Sequence, residues 1–182
     1  MSRQTESPPP DHVEQRRSQW RRELPEVDTI GMAVLGRARL ATILARGPIE
    51  RVFARHGLDT GEFDVVSTLL RSGPPYRLRP TELYNALMIS SGGLTDRLNR
   101  LQKAGLIARR RSEEDARSLL VELTAKGRAV AEAAFREDMA LEAQLLEGLT
   151  QEERYRLAAL LARLVAVVTE RSAGQDRDLD RP

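Results

Sequence analysis

The chain has 182 residues, of which 41% are hydrophobic, 31% charged and 4% aromatic, and its formal net charge is +2. This length is enough to bury a sizeable core and is most simply one domain with extended ends. The composition predicts a soluble, helix-rich protein. The absence of cysteine excludes disulfides and thiol chemistry within the chain. Because no signal peptide or membrane-length apolar run is present, we expect a cytoplasmic protein without membrane contact.

Arginine supplies nearly all of the positive charge, since Lys103 and Lys126 are the only lysines. Arginine favours planar, bidentate contacts with phosphates, base edges or carboxylates. A high genomic GC content would explain the same bias equally well, so the bias alone does not identify a partner.

The first part of the chain predicts a disordered tail followed by helices. Residues 1–10 are polar and end in three prolines, which predicts disorder. Residues 11–57 predict an extra helix, capped by Asp11 and running to about Glu23, and then a long helix with a kink at Gly47-Pro48. On the first helix, Val13, Trp20 and Leu24 fall on one stripe that must dock on another element.

Residues 58–124 predict a winged helix-turn-helix. Asp59 and Glu62 form a capping box for a helix through Ser72. Two short helices follow, at about 80–88 and 92–104, and this pair is typical of a helix-turn-helix. The strands Leu106–Arg111 and Ser118–Leu123 then form a hairpin, in which we expect Leu119, Val121 and Leu123 to face inward.

Residues 125–172 predict two further helices, the first capped by Thr124 and the second by Thr150 with Glu153. The last helix carries a broad apolar face, which consists of Leu157, Leu160, Leu161, Leu164, Val165 and Val168. This surface exceeds what a small winged core can cover. We therefore expect the N-terminal and C-terminal helices to form a homodimer that binds a two-fold symmetric operator, with an ordinary intrachain bundle as the alternative. Residues 173–182 predict a second disordered tail. The expected fold is mainly α with a small β-hairpin.

The second helix of the pair has the pattern of a DNA-reading helix. Leu94, Leu98 and Leu101 lie on one side at 100° per residue. The predicted DNA-contacting residues are Ser91, Gly92, Thr95, Asp96, Asn99, Arg100 and Lys103, with base edges near the N-terminal end and phosphates further along. Residues 71–117 contain ten basic and five acidic side chains, a local net charge of +5 on a chain of +2. Positive charge is thus concentrated at the predicted reader.

The hairpin adds candidate DNA contacts of its own. Arg109–Arg111 end the first strand, where their charge can meet phosphates, and Arg110 is a predicted contact. Arg117, near the tip, can enter a narrow minor groove, where negative potential favours arginine. Asp115 is predicted to orient the Arg117 guanidinium.

The sequence does not predict an enzyme. It contains no recognisable nucleophile set, paired-carboxylate pattern or P-loop. His12 and His56 lie in separate segments, which argues against a metal site. We expect no metal and no cofactor other than a small-molecule effector.

Two consecutive stretches carry a family resemblance: PTELYNALMISSGGLTDRLNRLQKAGLIARR and then DARSLLVELTAKGR. Together they resemble the MarR (multiple antibiotic resistance regulator) family of winged-helix repressors. The resemblance implies a dimer with the 92–103 helix in the major groove and Arg117 as the minor-groove arginine of the wing. One departure is Asn99, which stands where many members carry aspartate.

A second set of residues indicates a ligand. Arg97 lies about 60° from the centre of the leucine stripe, so it should face the protein body and need an anionic partner. Asp64 and Arg71, seven residues apart on the preceding helix, lie near one side of that helix. Taken singly, each of these residues has an ordinary structural explanation.

Taken together, Trp20, Asp64, Arg71 and Arg97 resemble the set carried by urate-responsive members of the MarR family. The resemblance implies that urate binds Arg97 and Trp20, repels Asp64, disturbs the Asp64–Arg71 pair and releases DNA. The alternatives are a phenolic or carboxylate ligand, or a DNA-binding protein that senses nothing.

Overall fold

The computed structural model describes residues 11–87, 93–111 and 119–179. Within these ranges the chain forms seven helices and three strands. Their bounds are α1 His12–Glu23, α2 Ile30–Arg55, α3 Thr60–Arg71, β1 Arg77–Leu78, α4 Pro80–Ala86, α5 Leu94–Lys103, β2 Ile107–Arg111, β3 Leu119–Leu123, α6 Ala125–Leu145 and α7 Gln151–Leu179. The predicted 1–10 tail and the predicted contacts Ser91, Gly92, Asp115 and Arg117 lie outside the described residues.

The chain divides into two compact units, residues 1–138 and 139–182. The first unit contains the predicted winged helix-turn-helix. The second unit contains the end of α6 and all of α7.

Side-chain capping sets the helix starts that the sequence predicts. The Asp11 carboxylate accepts the Glu14 N–H at 2.8 Å. At α3, Asp59 and Glu62 accept each other's backbone N–H groups at 2.7 and 2.9 Å. These bonds satisfy N–H groups that have no partner within the helix, so the predicted starts of α1 and α3 are confirmed.

The predicted start of α7 is confirmed in the same way. The Thr150 N–H donates to Glu153 Oε2 at 2.8 Å, and the Glu153 N–H donates to Thr150 Oγ1 at 3.3 Å. The helix continues to Leu179, so the part of the predicted 173–182 tail that the structure describes is helical. A single glycine, Gly174, lowers helix stability by only about 1 kcal/mol and does not by itself end a helix.

The sheet has the order β1-β3-β2 and is antiparallel throughout. The strand β1 was not predicted, because two residues are too few to show an alternating pattern. On β3, Val121 and Leu123 face inward as predicted, but Leu119 is 41% exposed. Leu119 pairs with Arg111 at the far end of the hairpin, beyond the core, so the prediction that it faces inward is wrong.

The core of the first unit centres on α3, where Val65, Val66 and Leu69 are completely buried. The rings of Phe53 on α2 and Phe63 on α3 stack with centroids 4.0 Å apart. These contacts join the long helix α2 to the winged region.

The first helix packs through fewer residues than its pattern predicts. Val13 is buried against α2, whereas Trp20 and Leu24 are 49% and 42% exposed. The stripe of three is therefore only partly docked within one chain. The following helix, α2, includes Pro48 and remains a single helix from Ile30 to Arg55.

The wing joins α6 through tight backbone contacts. The Thr124 hydroxyl donates to the Gly105 carbonyl at 2.8 Å and accepts the Gly127 N–H at 2.9 Å, so Thr124 caps α6 as predicted. A Cβ at Gly127 would overlap the Leu106 carbonyl oxygen. Only glycine therefore allows α6 to approach the first wing strand this closely.

Candidate nucleic-acid interface and anion pocket

The reading helix α5 is fixed by its leucine stripe. Leu98 and Leu101 are buried, at 5% and 1% exposure. The predicted contacts Thr95, Asp96, Asn99 and Lys103 are all exposed on the helix. The arrangement leaves a polar and basic face open beside the buried stripe, and DNA contact by these residues remains a prediction.

Arg100 makes two contacts that the sequence did not predict. Its Nε donates to Glu62 Oε1 at 2.7 Å and its Nη2 donates to Asp59 Oδ2 at 2.8 Å. The hydrogen bond to Glu62 is the largest of the effects that raise the pKa of Arg100. The guanidinium is thus held against the start of α3 by the two acids of the capping box, while the Arg100 side chain is 52% exposed, and its contact with DNA remains a prediction.

Asn99 and the wing are directly connected. Arg109 Nη2 on β2 donates to Asn99 Oδ1 at 2.7 Å. Arg109 therefore faces α5, whereas the sequence placed it among the arginines that meet phosphates. Its Nε is buried and has no hydrogen-bond partner among the described residues.

Arg110 keeps an open position on the wing. Its side chain is 73% exposed, and its Nε lies 3.5 Å from Glu122 Oε2 on β3. This separation is at the limit of a hydrogen bond, so the pairing is loose. Arg110 is therefore an exposed arginine of the wing that a phosphate can reach.

Arg97 lies between α5 and α3, as predicted. A Cβ at Gly61 would overlap the Arg97 guanidinium, so the arginine packs directly on the backbone of the first turn of α3. Glycine at this position is what allows the close approach. Arg97 is half-buried and faces the body of the winged unit.

Asp64 lies one turn further along α3, within the field of Arg97. Burial is the main effect on the pKa of Asp64 and raises it. Arg97 and, to a smaller extent, Arg71 lower that pKa, and the net result is still a raised value. Three of the four predicted ligand residues therefore lie close enough to interact electrostatically.

The predicted Asp64–Arg71 pair is not a hydrogen-bonded pair. Arg71 Nη2 donates instead to Thr68 Oγ1 at 3.0 Å and to the Ala86 carbonyl at 2.5 Å. A separation of seven residues amounts to about 10 Å along a helix, which explains why Arg71 uses nearer acceptors. One of these acceptors, Ala86, ends α4, so Arg71 joins α3 to the helix before the reader.

Trp20 is not buried in a pocket within one chain. It lies on α1 and is 49% exposed. A role beside Arg97 stays a prediction.

The sequence reasoning missed the anchoring roles of Arg100 and Arg109. The signal for Arg100 was available, because two carboxylates at the start of α3 attract a cation from whatever packs against them. Nothing in the spacing indicated the Arg109–Asn99 bond, which depends on how β2 lies beside α5.

None of the helices in the described ranges is long and apolar enough to cross a membrane.

Comparison with known proteins agrees with this fold. The MarR family matches residues 56–118. The chain is 38% identical to the HTH-type transcriptional regulator PecS of Dickeya dadantii, over 80% of this chain and 88% of that protein. It superposes on Sco5413, a MarR family transcriptional regulator of Streptomyces coelicolor, with a TM-score of 0.65 and 26% identity, covering 79% of this chain and 98% of the other.

A mutant of E. coli MarR in complex with operator DNA has the same fold, with a TM-score of 0.61 and 24% identity, covering 80% of this chain and 96% of the other. The relatives are transcriptional regulators and not enzymes. The protein described here belongs to the MarR family of DNA-binding winged-helix transcriptional regulators.

Proposed function

We propose that the protein is a ligand-responsive repressor that binds a two-fold symmetric operator as a homodimer and is released by a small anion, most simply urate. The observation that carries this proposal is the position of Arg97. It extends from the reading helix onto Gly61 and into the field of Asp64, a carboxylate whose pKa burial raises.

Exposed apolar surface supports the homodimer. In the second unit, α7 exposes Leu157, Leu160, Leu161, Val165 and Val168 at 41–64%. In the first unit, separately, Ile30, Val34, Leu35 and Leu44 on α2 are 47–67% exposed. Large unpartnered apolar patches mark association surfaces, and a symmetric dimer would place two reading helices on two half-sites.

The DNA contacts that we propose are made by polar and charged side chains that are exposed on the winged unit. Thr95 and Asp96 in the first turn of α5 and Asn99 near its middle face the base edges, and Lys103 and Arg110 face phosphates. We include Ser91, Gly92, Asp115 and Arg117 in the proposed interface on the sequence alone, with Arg117 in the minor groove. Because Arg100 is already bonded to Asp59 and Glu62, its part is to hold α5 at its working angle.

An anionic effector would compete with Asp64 for electrostatic interaction with Arg97. A planar anion paired with Arg97 places a second negative charge beside Asp64, whose own ionisation is already disfavoured by burial. Arg97 must then divide its interaction between the ligand and Asp64. Since Arg97 belongs to α5 and packs on α3, this competition acts directly on the junction that positions the reader.

The release of DNA requires only that the ligand bind the DNA-incompetent state more tightly. Coupling between two sites is typically worth about 1–3 kcal/mol, which is roughly a 5–150-fold change in affinity. A urate-dependent loss of operator affinity within this range is therefore the expected response. Trp20 would complete the site through its half-exposed indole once the dimer forms.

The test is a mobility-shift titration of the intergenic DNA upstream of the gene, with and without urate. We expect urate to release the wild-type protein, and Trp20→Phe and Arg97→Ala to reduce that release. Arg22→Ala, which removes an arginine elsewhere on α1, is the matched control and should respond like the wild type. Normal release of the Trp20→Phe and Arg97→Ala proteins at saturating urate would refute the proposed site.

Parallel titrations separate the alternatives. Release by salicylate or citrate but not by urate would replace the ligand while keeping the sensing function. A protein that stays bound with all three compounds would be a DNA-binding protein without this sensing function.

A further inference from the structure

A groove lies between α1 and α2, and it shares no lining residue with the Asp64–Arg97 site. It has a volume of about 570 Å³ and is lined by His12, Val13, Arg16, Met32, Gly36, Arg39, Leu40 and Ile43. Its volume falls within the range that small-molecule sites occupy, about 300–1,000 Å³. All eight of these lining residues belong to the first unit, so one chain supplies them.

The floor of the groove is apolar and is set by one glycine. Val13 is only 6% exposed, and a Cβ at Gly36 would lie 3.3 Å from its Cγ1. This close approach seats the start of α1 on α2. The side chains of Met32, Leu40 and Ile43 then form an apolar surface beside the contact.

Among the described residues, the polar lining of the groove is basic and includes no acid. It carries Arg16 and His12 from α1 and Arg39 from α2. Neither Arg16 nor Arg39 forms an ion pair with any residue in the ranges that the structure describes. An apolar floor with two unneutralised guanidinium groups fits a ligand with an apolar body and an anionic head.

Other arginines of the same two helices have acidic partners, whereas the two that line the groove have none among the described residues. Arg17 pairs with Glu14 at 2.8 Å, and Arg37 pairs with Asp11 at 2.7 Å. Arg21 also pairs with Glu14. The two acids of the first helical turn thus neutralise three arginines outside the groove and leave the two that line it.

We propose that this groove is a second effector site, which takes an amphipathic monocarboxylate. Arg16 and Arg39 bind the carboxylate, and Met32, Leu40 and Ile43 contact the hydrocarbon. The site is separate from the Asp64–Arg97 pocket and would report a different class of compound, an organic acid with an apolar chain or ring. Its ligand would stabilise the α1–α2 contact in particular, because both helices line the groove.

The experiment is calorimetric titration of the full-length protein with octanoate, which has an apolar body and one carboxylate. We expect octanoate to bind the wild-type protein and the double variant Arg16→Gln/Arg39→Gln to lose at least about fivefold in affinity, as expected for removal of charge-assisted contacts. Arg22→Gln, on the same helix but outside the groove, is the matched control and should bind like the wild type. Both arginines of the double variant are exposed, and its thermal melt checks that it remains folded.

Three results would overturn the proposal. One is an absence of octanoate binding to the wild-type protein, which is the result expected if a partner chain covers the groove. Another is equal binding of octanoate and the neutral 1-octanol, since the charge would then play no part. The third is an equal loss of affinity in the Arg22→Gln control. The urate titration is unaffected by any of these outcomes, so the two proposals are tested independently.

Discussion

The helices α3 and α7 carry similar apolar patterns and have opposite surroundings. On α3, Val65, Val66 and Leu69 are completely buried. On α7, Leu160 and Val165 are 57% and 64% exposed. An apolar face recurring at helical spacing therefore predicts that a helix will be covered, but not whether the same chain supplies the cover. In α3 the covering residues come from the winged unit itself, and in α7 we propose that they come from a second copy.

The largest expected effect is at the buried helix. Leu69→Ala removes three carbons from a fully buried site and leaves a cavity, so we expect a loss of about 2–5 kcal/mol in the free energy of unfolding. Denaturant titration measures this loss. The matched change is Leu160→Ala, measured at a concentration low enough to give monomer, and its expected effect is below about 0.5 kcal/mol. Equal losses at the two positions would mean that α7 is covered within one chain.

The next effect concerns association. Leu160→Glu places a charge on the apolar face of α7, and burying that charge in a dimer interface would be costly. We expect sedimentation equilibrium to show a shift from dimer to monomer, together with weaker binding to a two-half-site operator. Glu152→Gln, a polar exchange on the same helix, should leave the dimer intact. A Leu160→Glu protein that stays dimeric would move the interface elsewhere.

The smallest effect is at the rim of α3, where Asp64 adjoins the buried face. Because the folded-state pKa of Asp64 is raised by burial, the folded protein binds this proton more readily than the unfolded chain. Stability from this group is full at pH values below the unfolded pKa of about 3.9 and declines as pH rises through the folded value. The melting temperature of the wild type minus that of Asp64→Asn should therefore be lower at pH 7 than at pH 4.

The control for this measurement is Asp96→Asn, at an exposed acid on α5, for which the difference from wild type should change less between the two pH values. A difference for Asp64→Asn that grows towards neutral pH would show that pairing with Arg97 outweighs burial.

The predictable parts of the fold are those with a local physical signal. Asp11, the Asp59–Glu62 box and the Thr150–Glu153 box each mark a helix start, because the side chain that caps a helix lies within three residues of the N–H it accepts. The strand β3 was predicted for a similar reason, since its alternating pattern is visible over five residues. The strand β1 has only two residues, Arg77 and Leu78, and its partner is the edge of β3 at Glu122 and Val121.

The site was less predictable because its contacts depend on the tertiary neighbour. A helical projection placed both Arg97 and Arg100 correctly around the axis of α5. It did not show that α3 would present two carboxylates to Arg100, or that β2 would bring Arg109 to Asn99. The same reasoning placed Asp64 and Arg71 near one side of α3, but it could not show that Thr68 and Ala86 offer Arg71 nearer acceptors. Angular position on a helix follows from sequence, whereas the identity of a partner requires the packed fold.

The joint between the wing and α6 has a mechanical consequence. With no clearance between Gly127 and the Leu106 carbonyl, and with Thr124 bonded to both sides of the joint, α6 cannot roll about its axis without carrying the base of the wing with it. The start of α6 and the base of the first wing strand therefore move together when α6 rotates. A rotation imposed on this helix would therefore displace the Leu106 end of the first wing strand.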